Sequence, residues 1–216
     1  MAASIIAKGL IAVALAHLLG SIPSAYLLTP LLSGVNIRQK NGGVGGLNTY
    51  RELGIGSGVG VIAADMAKGA AAVSIAYWLL ALPQVFVLMV GVAAVAGHLW
   101  MVFLKFNGGG GIATSIGVLS TILPIYGHWQ EMLIFIAIMA LVVAIAHNVA
   151  AAAVIAQLFL PLVAWLGTHS LAITIFSIAL GVIMGLKRLP SLKKDWSDSG
   201  SLKSFVFHNS FRKDKK

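Results

Sequence analysis

The chain has 216 residues, of which 59% are hydrophobic and 10% charged, and its mean hydropathy is +0.95. That is too apolar for a water-soluble domain of this length, so an ordinary soluble enzyme or binding module is excluded and the bilayer is the solvent. The net charge of +9 is scattered over loops and a tail instead of forming one soluble basic face, which points to anionic headgroups and not to nucleic acid.

A window of about 20 residues, the length of helix that crosses a hydrocarbon core, predicts runs over 3–32, 57–82, 84–104, 112–127, 132–147, 149–168 and 171–186, the fourth and fifth rather short. The fold class expected is therefore an all-α integral membrane protein of about seven transmembrane helices. The first run carries Lys8 near its start, exceeds a signal-peptide core and continues through Gly20, Pro23 and Tyr26, so it reads as a retained span. The loop that follows is Arg38-Gln-Lys-Asn-Gly-Gly-Val-Gly-Gly-Leu-Asn-Thr-Tyr-Arg-Glu-Leu-Gly54. Arg38 and Arg51 in it can grip a phosphate with two nitrogens each, and Asn48 can orient a hydroxyl. The same arginines, with Lys40, also satisfy the bias of positive residues toward the cytoplasmic side.

Inside the second run stand Asp65 and Lys68. Each costs about 2.5–3.5 kcal/mol at a helix centre on the insertion scale, and their i,i+3 spacing puts them on one face where they partly neutralise each other. Such a pair faces the bundle or a wet cavity, as a functional element or as a tie between helices. After the third run comes a second glycine-rich loop, Gly97-His-Leu-Trp-Met-Val-Phe-Leu-Lys-Phe-Asn-Gly-Gly-Gly-Gly-Ile-Ala-Thr114. Gly108, Gly109, Gly110 and Gly111 lead directly into the fourth run. A helix start presents unpaired N–H groups, and glycine lets the preceding backbone turn more of them toward one spot, which makes an anion site. Four glycines also give a tight turn between closely packed membrane helices, and that reading stands beside the first. His98, at the membrane boundary, has no Ser/His/Asp set near it in sequence.

The chain ends in a basic tail, 187–216, with nine Lys/Arg against three Asp and with Phe205, Phe207 and Phe211 interleaved. It reads either as a segment lying on the inner leaflet or as a solvated tail. Residues 1–186 form one membrane domain, without evident internal repeats. The turns near Leu82-Pro83, His128–Glu131 and Gly167–Ser170 contain no Lys or Arg, whereas the alternate set holds Arg38, Lys40, Arg51, Lys105 and the tail. The N-terminus is thus predicted outside and the C-terminus cytoplasmic. Without cysteine there is no thiolate metal site or disulfide framework, His17, His128, His147, His169 and His208 lack ligand spacing, and no Walker loop is present. No metal is assigned.

Several segments together resemble the bacterial membrane acyltransferases that move an acyl chain from acyl-phosphate to glycerol 3-phosphate, often called PlsY. Leu18-Leu-Gly-Ser-Ile-Pro-Ser-Ala-Tyr26 is similar to that family's first helix, Asn48-Thr-Tyr-Arg-Glu-Leu-Gly54 to the end of its first loop, and Asp65-Met-Ala-Lys-Gly69 to its second helix. Gly97-His98, Val102-Phe103, Phe106, Gly108-Gly109, Gly111 and Ala113-Thr114 resemble its second loop. The likeness covers about residues 17 to 118; the later half matches in hydropathy and topology. It implies a seven-helix enzyme of the bacterial inner membrane that makes lysophosphatidate in the first acylation of phospholipid synthesis, with no metal, coenzyme A or other cofactor. Its partners would be glycerol 3-phosphate, acyl-phosphate and membrane lipids. The roles implied are Gly108, Gly109, Gly110 and Gly111 as phosphate donors, with Thr114 beside them. Arg38, Arg51 and Lys68 would be countercharges, and Asn48 and His98 positioning or catalytic groups.

The chain departs from the family pattern at several of these places. Asn41 and Gly43 stand at the serine and asparagine of the first loop, Leu47 replaces its threonine, and Asn107 and Gly110 stand at two lysines of the second. Around the sixth helix the expected serine-bearing stretch reads Val149-Ala-Ala-Ala-Ala153, and Lys187-Arg188 and Pro190 stand where the family has His and Asn. Lys105, Lys187 and Arg188 are the cations available to compensate. Three readings remain open: an acyltransferase, a non-catalytic paralogue that binds acyl-phosphate or an anionic lipid, and a small-anion or lipid transporter using Asp65 and Lys68 as a pathway element.

Overall fold

The computed structural model describes residues 2–40 and 43–199, with the backbone alone at residues 2 and 190–199. Asn41 and the last 17 residues of the basic tail, 200–216, lie outside the described residues. Among the described residues the regular structure is entirely helical. Six segments among the described residues are long and apolar enough to cross a membrane, and Ile112–Ile125 is a shorter apolar helix. Large apolar side chains stand exposed along them, Leu31 at 81%, Leu79 at 76% and Leu158 at 73%. In water that surface would drive association, and in lipid it is the expected outer face. The protein is an all-α integral membrane protein.

The chain divides into two compact units, residues 1–127 and 128–216. In the first unit the opening span expected over 3–32 is present as Ala3–Ser33, but it is interrupted. α1 (Ala2–Gly20) stops, and α2 (Ser24–Ser33) begins anew after Pro23. Pro23 lacks an N–H and restricts Ile22 before it, so the helical ladder ends there and the carbonyls of the last turn need other donors. Ser21, fully buried at the break, is one such donor: its hydroxyl lies 2.8 Å from the His17 carbonyl oxygen and 3.2 Å from that of Gly97. α2 closes on Gly34 in the left-handed conformation. The first loop is not irregular throughout, because α3 (Gly46–Leu53) forms within it, and Gly54 then turns the chain into α4 (Ile55–Ser74). α4 runs into a π turn over Ile75–Leu79.

α5 (Gln84–Leu99) packs along α1, with Pro83 preceding its first turn. The two helices meet backbone to backbone. A Cβ at Gly20 would run into the Ala94 carbonyl oxygen, and one at Gly97 into that of His17. Small residues at a crossing let membrane helices approach and gain dispersion contact where no hydrophobic drive is available. α6 (Ile112–Ile125) packs against α4 in the same manner and ends before Gly127. At 14 residues it rises about 21 Å at 1.5 Å per residue, less than the roughly 30 Å hydrocarbon core.

The second unit consists of α7 (Trp129–Ala146), α8 (Val149–Thr168) and α9 (Leu171–Ser199). The Asn148 side chain caps α8 by accepting from the N–H groups of Ala150 and Ala151, both at 3.0 Å. Gln157 Nε2 donates to the Ser177 carbonyl at 3.0 Å and ties α8 to α9. α9 continues as a helix beyond the apolar run that ends at 186, through the first residues of the basic segment.

The α1–α5 crossing gives a direct test. Gly20→Val should destabilise the protein by about 1–3 kcal/mol or more through overpacking. Gly56→Ala, on a part of α4 where a Cβ meets nothing within 4 Å, should be neutral or stabilising by up to about 1 kcal/mol. Thermal unfolding in detergent should place Gly20→Val below the unmodified chain and Gly56→Ala level with it or above it.

Candidate functional site

The first unit brings together polar residues of three separate sequence segments, the start of α2, the middle of α4 and the end of α5. At the bottom is a buried cluster around Asp65. Ser24 Oγ donates to Asp65 Oδ1 at 2.8 Å, Lys68 Nζ reaches the same oxygen at 2.9 Å, and His98 Nδ1 lies 3.5 Å from it. Asp65, Lys68 and His98 are 1%, 6% and 2% exposed. Lys68 also donates to the Ile22 carbonyl at 2.9 Å, one of the oxygens released by the break between α1 and α2. The ion pair expected from the i,i+3 spacing is therefore formed, and the proline break supplies its second acceptor. The absence of an oriented partner for His98 holds only along the sequence, because the fold carries Asp65 to it from α4.

His98 is the point where this cluster meets the glycine loop. Its carbonyl accepts the Gly109 N–H at 3.0 Å. A Cβ at Gly109 would collide with His98 Nε2, and one at Gly108 with the carbonyl oxygens of His98 and Leu99. The loop therefore lies directly on the end of α5, and only residues without a side chain permit it. Its near end is fastened by Ser21, whose hydroxyl accepts the Val102 N–H at 3.3 Å. Between these anchors the chain makes a 3-10 turn, Val102–Leu104, and passes Lys105 and Phe106 with φ of 53° and 62°. Gly111, with φ of 78°, then opens α6 without a side-chain cap.

Above the loop is a cleft of about 500 Å³. One wall is Tyr26, Arg38, Gly43 and Val44, and the other is Phe103, Leu104, Lys105, Asn107 and Gly108. The two glycine-rich loops thus come together, as a shared site requires. Arg38 sits over the Tyr26 ring, 4.2 Å from its centroid, a stacking that orients the guanidinium and leaves its edge for an anion. Among the described residues lining the cleft the cations are Arg38 and Lys105.

The residues singled out in the sequence are distributed unequally about this cleft. Arg38, Gly108 and Asn107 line it. Asn48, half-buried on α3, donates to the Gly43 carbonyl at 3.1 Å and so shapes the wall from behind. Arg51 is half-buried in the last turn of α3 and is not among the lining residues. Lys68 is not brought to the cleft, because Asp65 and the Ile22 carbonyl hold its ammonium inside the helices. Gly109 offers no free amide, since His98 takes its N–H, whereas among the described residues no carbonyl accepts the N–H of Gly108, Gly110 or Gly111. Thr114 is buried one turn into α6, and its hydroxyl finds no hydrogen-bond partner among the described residues. Tyr26, Ser21 and Ser24 were not singled out from the sequence. The signal that would have found them is the polar punctuation Ser21-Ile-Pro-Ser24 within a long apolar run.

The comparisons with known proteins follow the same pattern. The model of the family described as Glycerol-3-phosphate acyltransferase matches residues 10–194. The chain belongs to that family. It is 42% identical over 200 residues to glycerol-3-phosphate acyltransferase 1 of Dehalococcoides mccartyi, covering 92% of this chain and 96% of that one. To glycerol-3-phosphate acyltransferase of Thermoanaerobacter pseudethanolicus it is 34% identical over 181 residues, covering 83% and 88%. Among solved structures it is similar to PlsY, an integral membrane glycerol 3-phosphate acyltransferase, in its glycerol 3-phosphate form, with a TM-score of 0.76 and 26% identity over 88% of this chain and 92% of that one. The lysophosphatidic acid form of the same enzyme gives a TM-score of 0.76 at 25% identity. For this acyltransferase family member, the resemblance read from the two loops extends through α7 to α9.

The ion pair makes a clear energetic prediction. Lys68→Met leaves the Asp65 carboxylate buried without its countercharge and should destabilise the protein by about 3–5 kcal/mol. Replacing both partners, Asp65→Leu with Lys68→Leu, should recover most of that loss, since an apolar pair of similar volume costs little in this setting. Thermal or denaturant unfolding of the single and double variants checks the order.

Proposed function

We propose that the chain transfers an acyl group from an acyl-phosphate to a hydroxyl of glycerol 3-phosphate, at the cytoplasmic face of a bacterial plasma membrane. The bond from the acyl carbon to the phosphate oxygen breaks, an ester to the glycerol oxygen forms, the hydroxyl proton is released, and the products are lysophosphatidate and inorganic phosphate. The observation that carries this reading is the convergence of Arg38, Lys105 and the Gly108 backbone on one cleft that also carries the apolar side chains of Val44, Phe103 and Leu104 and the ring of Tyr26. An acyl-phosphate has the same division between a charged head and an oily tail. The structure of the related enzyme with glycerol 3-phosphate, and that with lysophosphatidic acid, support the acceptor and the product.

In this reading the protein needs little covalent chemistry of its own. Phosphate is a good leaving group, so holding the hydroxyl against the acyl carbonyl and neutralising the developing charge do most of the work. Arg38 and Lys105 supply the countercharge, and the Gly108 N–H, with Gly110 next but one to it in the loop, supplies hydrogen bonds, while Gly111 and the buried Thr114 start the helix behind them. Asn48 and Arg51 support the first loop, and His98 supports the second from beneath. Lys105 takes over part of what the family's lysines do at the positions of Asn107 and Gly110. Lys68 acts in this account as the internal partner of Asp65, and Gly109 as a close-packing residue.

A second reading, a paralogue that binds the same ligands without turnover, draws on Asn107, which lines the cleft without a charge. The transporter reading takes no support from Asp65 and Lys68, because both are buried and Ser24, the Ile22 carbonyl and their own ion pair hold Asp65 Oδ1 and the Lys68 ammonium inside the helices. The charge asymmetry of the loops places the N-terminus outside and the cleft inside, with residues 1–186 as the membrane domain and the segment from 187 as its basic cytoplasmic extension.

Purified protein given acyl-phosphate and glycerol 3-phosphate is expected to form lysophosphatidate. Arg38→Ala and Lys105→Gln should each remove about 1.5–3 kcal/mol of charged hydrogen bonding, roughly a ten- to hundredfold loss in kcat/KM. A chain that binds either substrate and yields no product belongs to the second reading. For the orientation, alkaline phosphatase fused after Pro83 should be active in a bacterial host, and the same enzyme fused after Lys105 inactive.

A further inference from the structure

The acyl transfer proposed above makes no use of the carboxylate at the centre of the buried cluster, yet one of its three contacts leads straight to the substrate cleft. Ser24 and Lys68, at 2.8 Å and 2.9 Å from Asp65 Oδ1, suffice to neutralise and hydrogen-bond that oxygen. Lys68 is itself held by the Ile22 carbonyl. A tie between helices would be complete with these groups alone. The third neighbour, His98, lies between Asp65 and the glycine loop, with Nδ1 3.5 Å from the acid and Nε2 where a Cβ on Gly109 would stand. The next link is the backbone, since the His98 carbonyl receives the Gly109 N–H and Gly108, the adjoining residue, lines the cleft.

The torsion that sets an imidazole ring is nearly two-fold, so without a partner the ring presents a nitrogen or a C–H to either side and its proton moves between the two nitrogens. A carboxylate at one edge removes that freedom by favouring the orientation with Nδ1–H toward it. We infer that Asp65 is a positioning residue for the acyl transfer: it selects one orientation of the His98 ring, and the ring and its carbonyl fix the Gly108–Gly109 backbone at the floor of the cleft. The inference rests on the reading of the cleft as the acyl-transfer site. Asp65 touches neither substrate in this account, and its effect travels through His98 to the loop.

The test uses the full chain in detergent. Nitrogen-15 spectra of the histidine rings, with the His98 signals assigned from their loss in His98→Gln, should show His98 in one form with the proton on Nδ1. In Asp65→Leu/Lys68→Leu, which removes both charges, the His98 signals should become those of exchanging tautomers. KM for glycerol 3-phosphate should rise at least tenfold while kcat falls less than threefold. Unchanged His98 signals, or an unchanged KM, would overturn the inference. If that double variant does not fold, His98→Asn and His98→Leu decide. The Asn side chain can still donate toward Asp65 from near the place of Nδ1, so its KM should stay at least fivefold below that of the Leu variant. Equal KM values in the two would overturn the inference. The ring spectra need no turnover. A wild-type chain that forms no lysophosphatidate therefore sinks the proposed activity, and Kd for glycerol 3-phosphate then replaces KM.

Discussion

One carboxylate oxygen, Asp65 Oδ1, takes a hydroxyl from α2 and an ammonium from its own helix, with an imidazole nitrogen from α5 3.5 Å away. In a bundle surrounded by hydrocarbon no water is at hand to solvate a lone acid, so the donors have to come from the protein and the helices have to stand where they can reach. That requirement explains the break between α1 and α2. Ser24 reaches Asp65 because the chain restarts after Pro23, and Lys68 finds its second acceptor in the Ile22 carbonyl that the interruption exposes. The same interruption places Ser21 against both α5 and the start of the second loop.

From this buried anchor the structure passes outward to a site made mostly of backbone. The glycine loop lies against the last turn of α5, fixed at Val102 by Ser21 and at Gly109 by His98. Such a rigid support suits the proposed acyl transfer, in which placement matters more than acid–base chemistry. The cleft brings two cations from separate loops to one place. Lys105, held out by a left-handed turn at residues 105 and 106, lines the wall opposite Arg38. Charge near a phosphate is less particular about its attachment point than a hydrogen bond is about its direction, so one lysine can act from a neighbouring position.

Much of this was legible before any coordinates. Windowed hydropathy marked the six spans and the shorter apolar helix to within a few residues, because the bilayer thickness dictates the length of each run. It did not show the break inside the first run, where apolarity continues through Ser21–Pro23 although the hydrogen-bond ladder does not. It missed α3 as well, a short amphipathic helix whose composition is that of a loop. The i,i+3 spacing of Asp65 and Lys68 fixed their pairing, since neighbours on one helical turn meet whatever the tertiary fold does.

The partners of that pair were a different matter. Nothing in the spacing of Ser24, Asp65 and His98, separated by 41 residues or by 33, says that they share an oxygen. Nor does the run of four glycines say which amides remain free: the fold gives Gly109 to His98 and leaves Gly108 at the cleft. Composition, order and the geometry of a single turn were enough for the solvent, the family, the two glycine-rich loops and the local ion pair. Which cation lines the cleft and which is locked inside depended on how the helices pack. Helix packing sets those distances, and a long side chain such as Lys68 turns toward whichever acceptor the packing leaves unsatisfied.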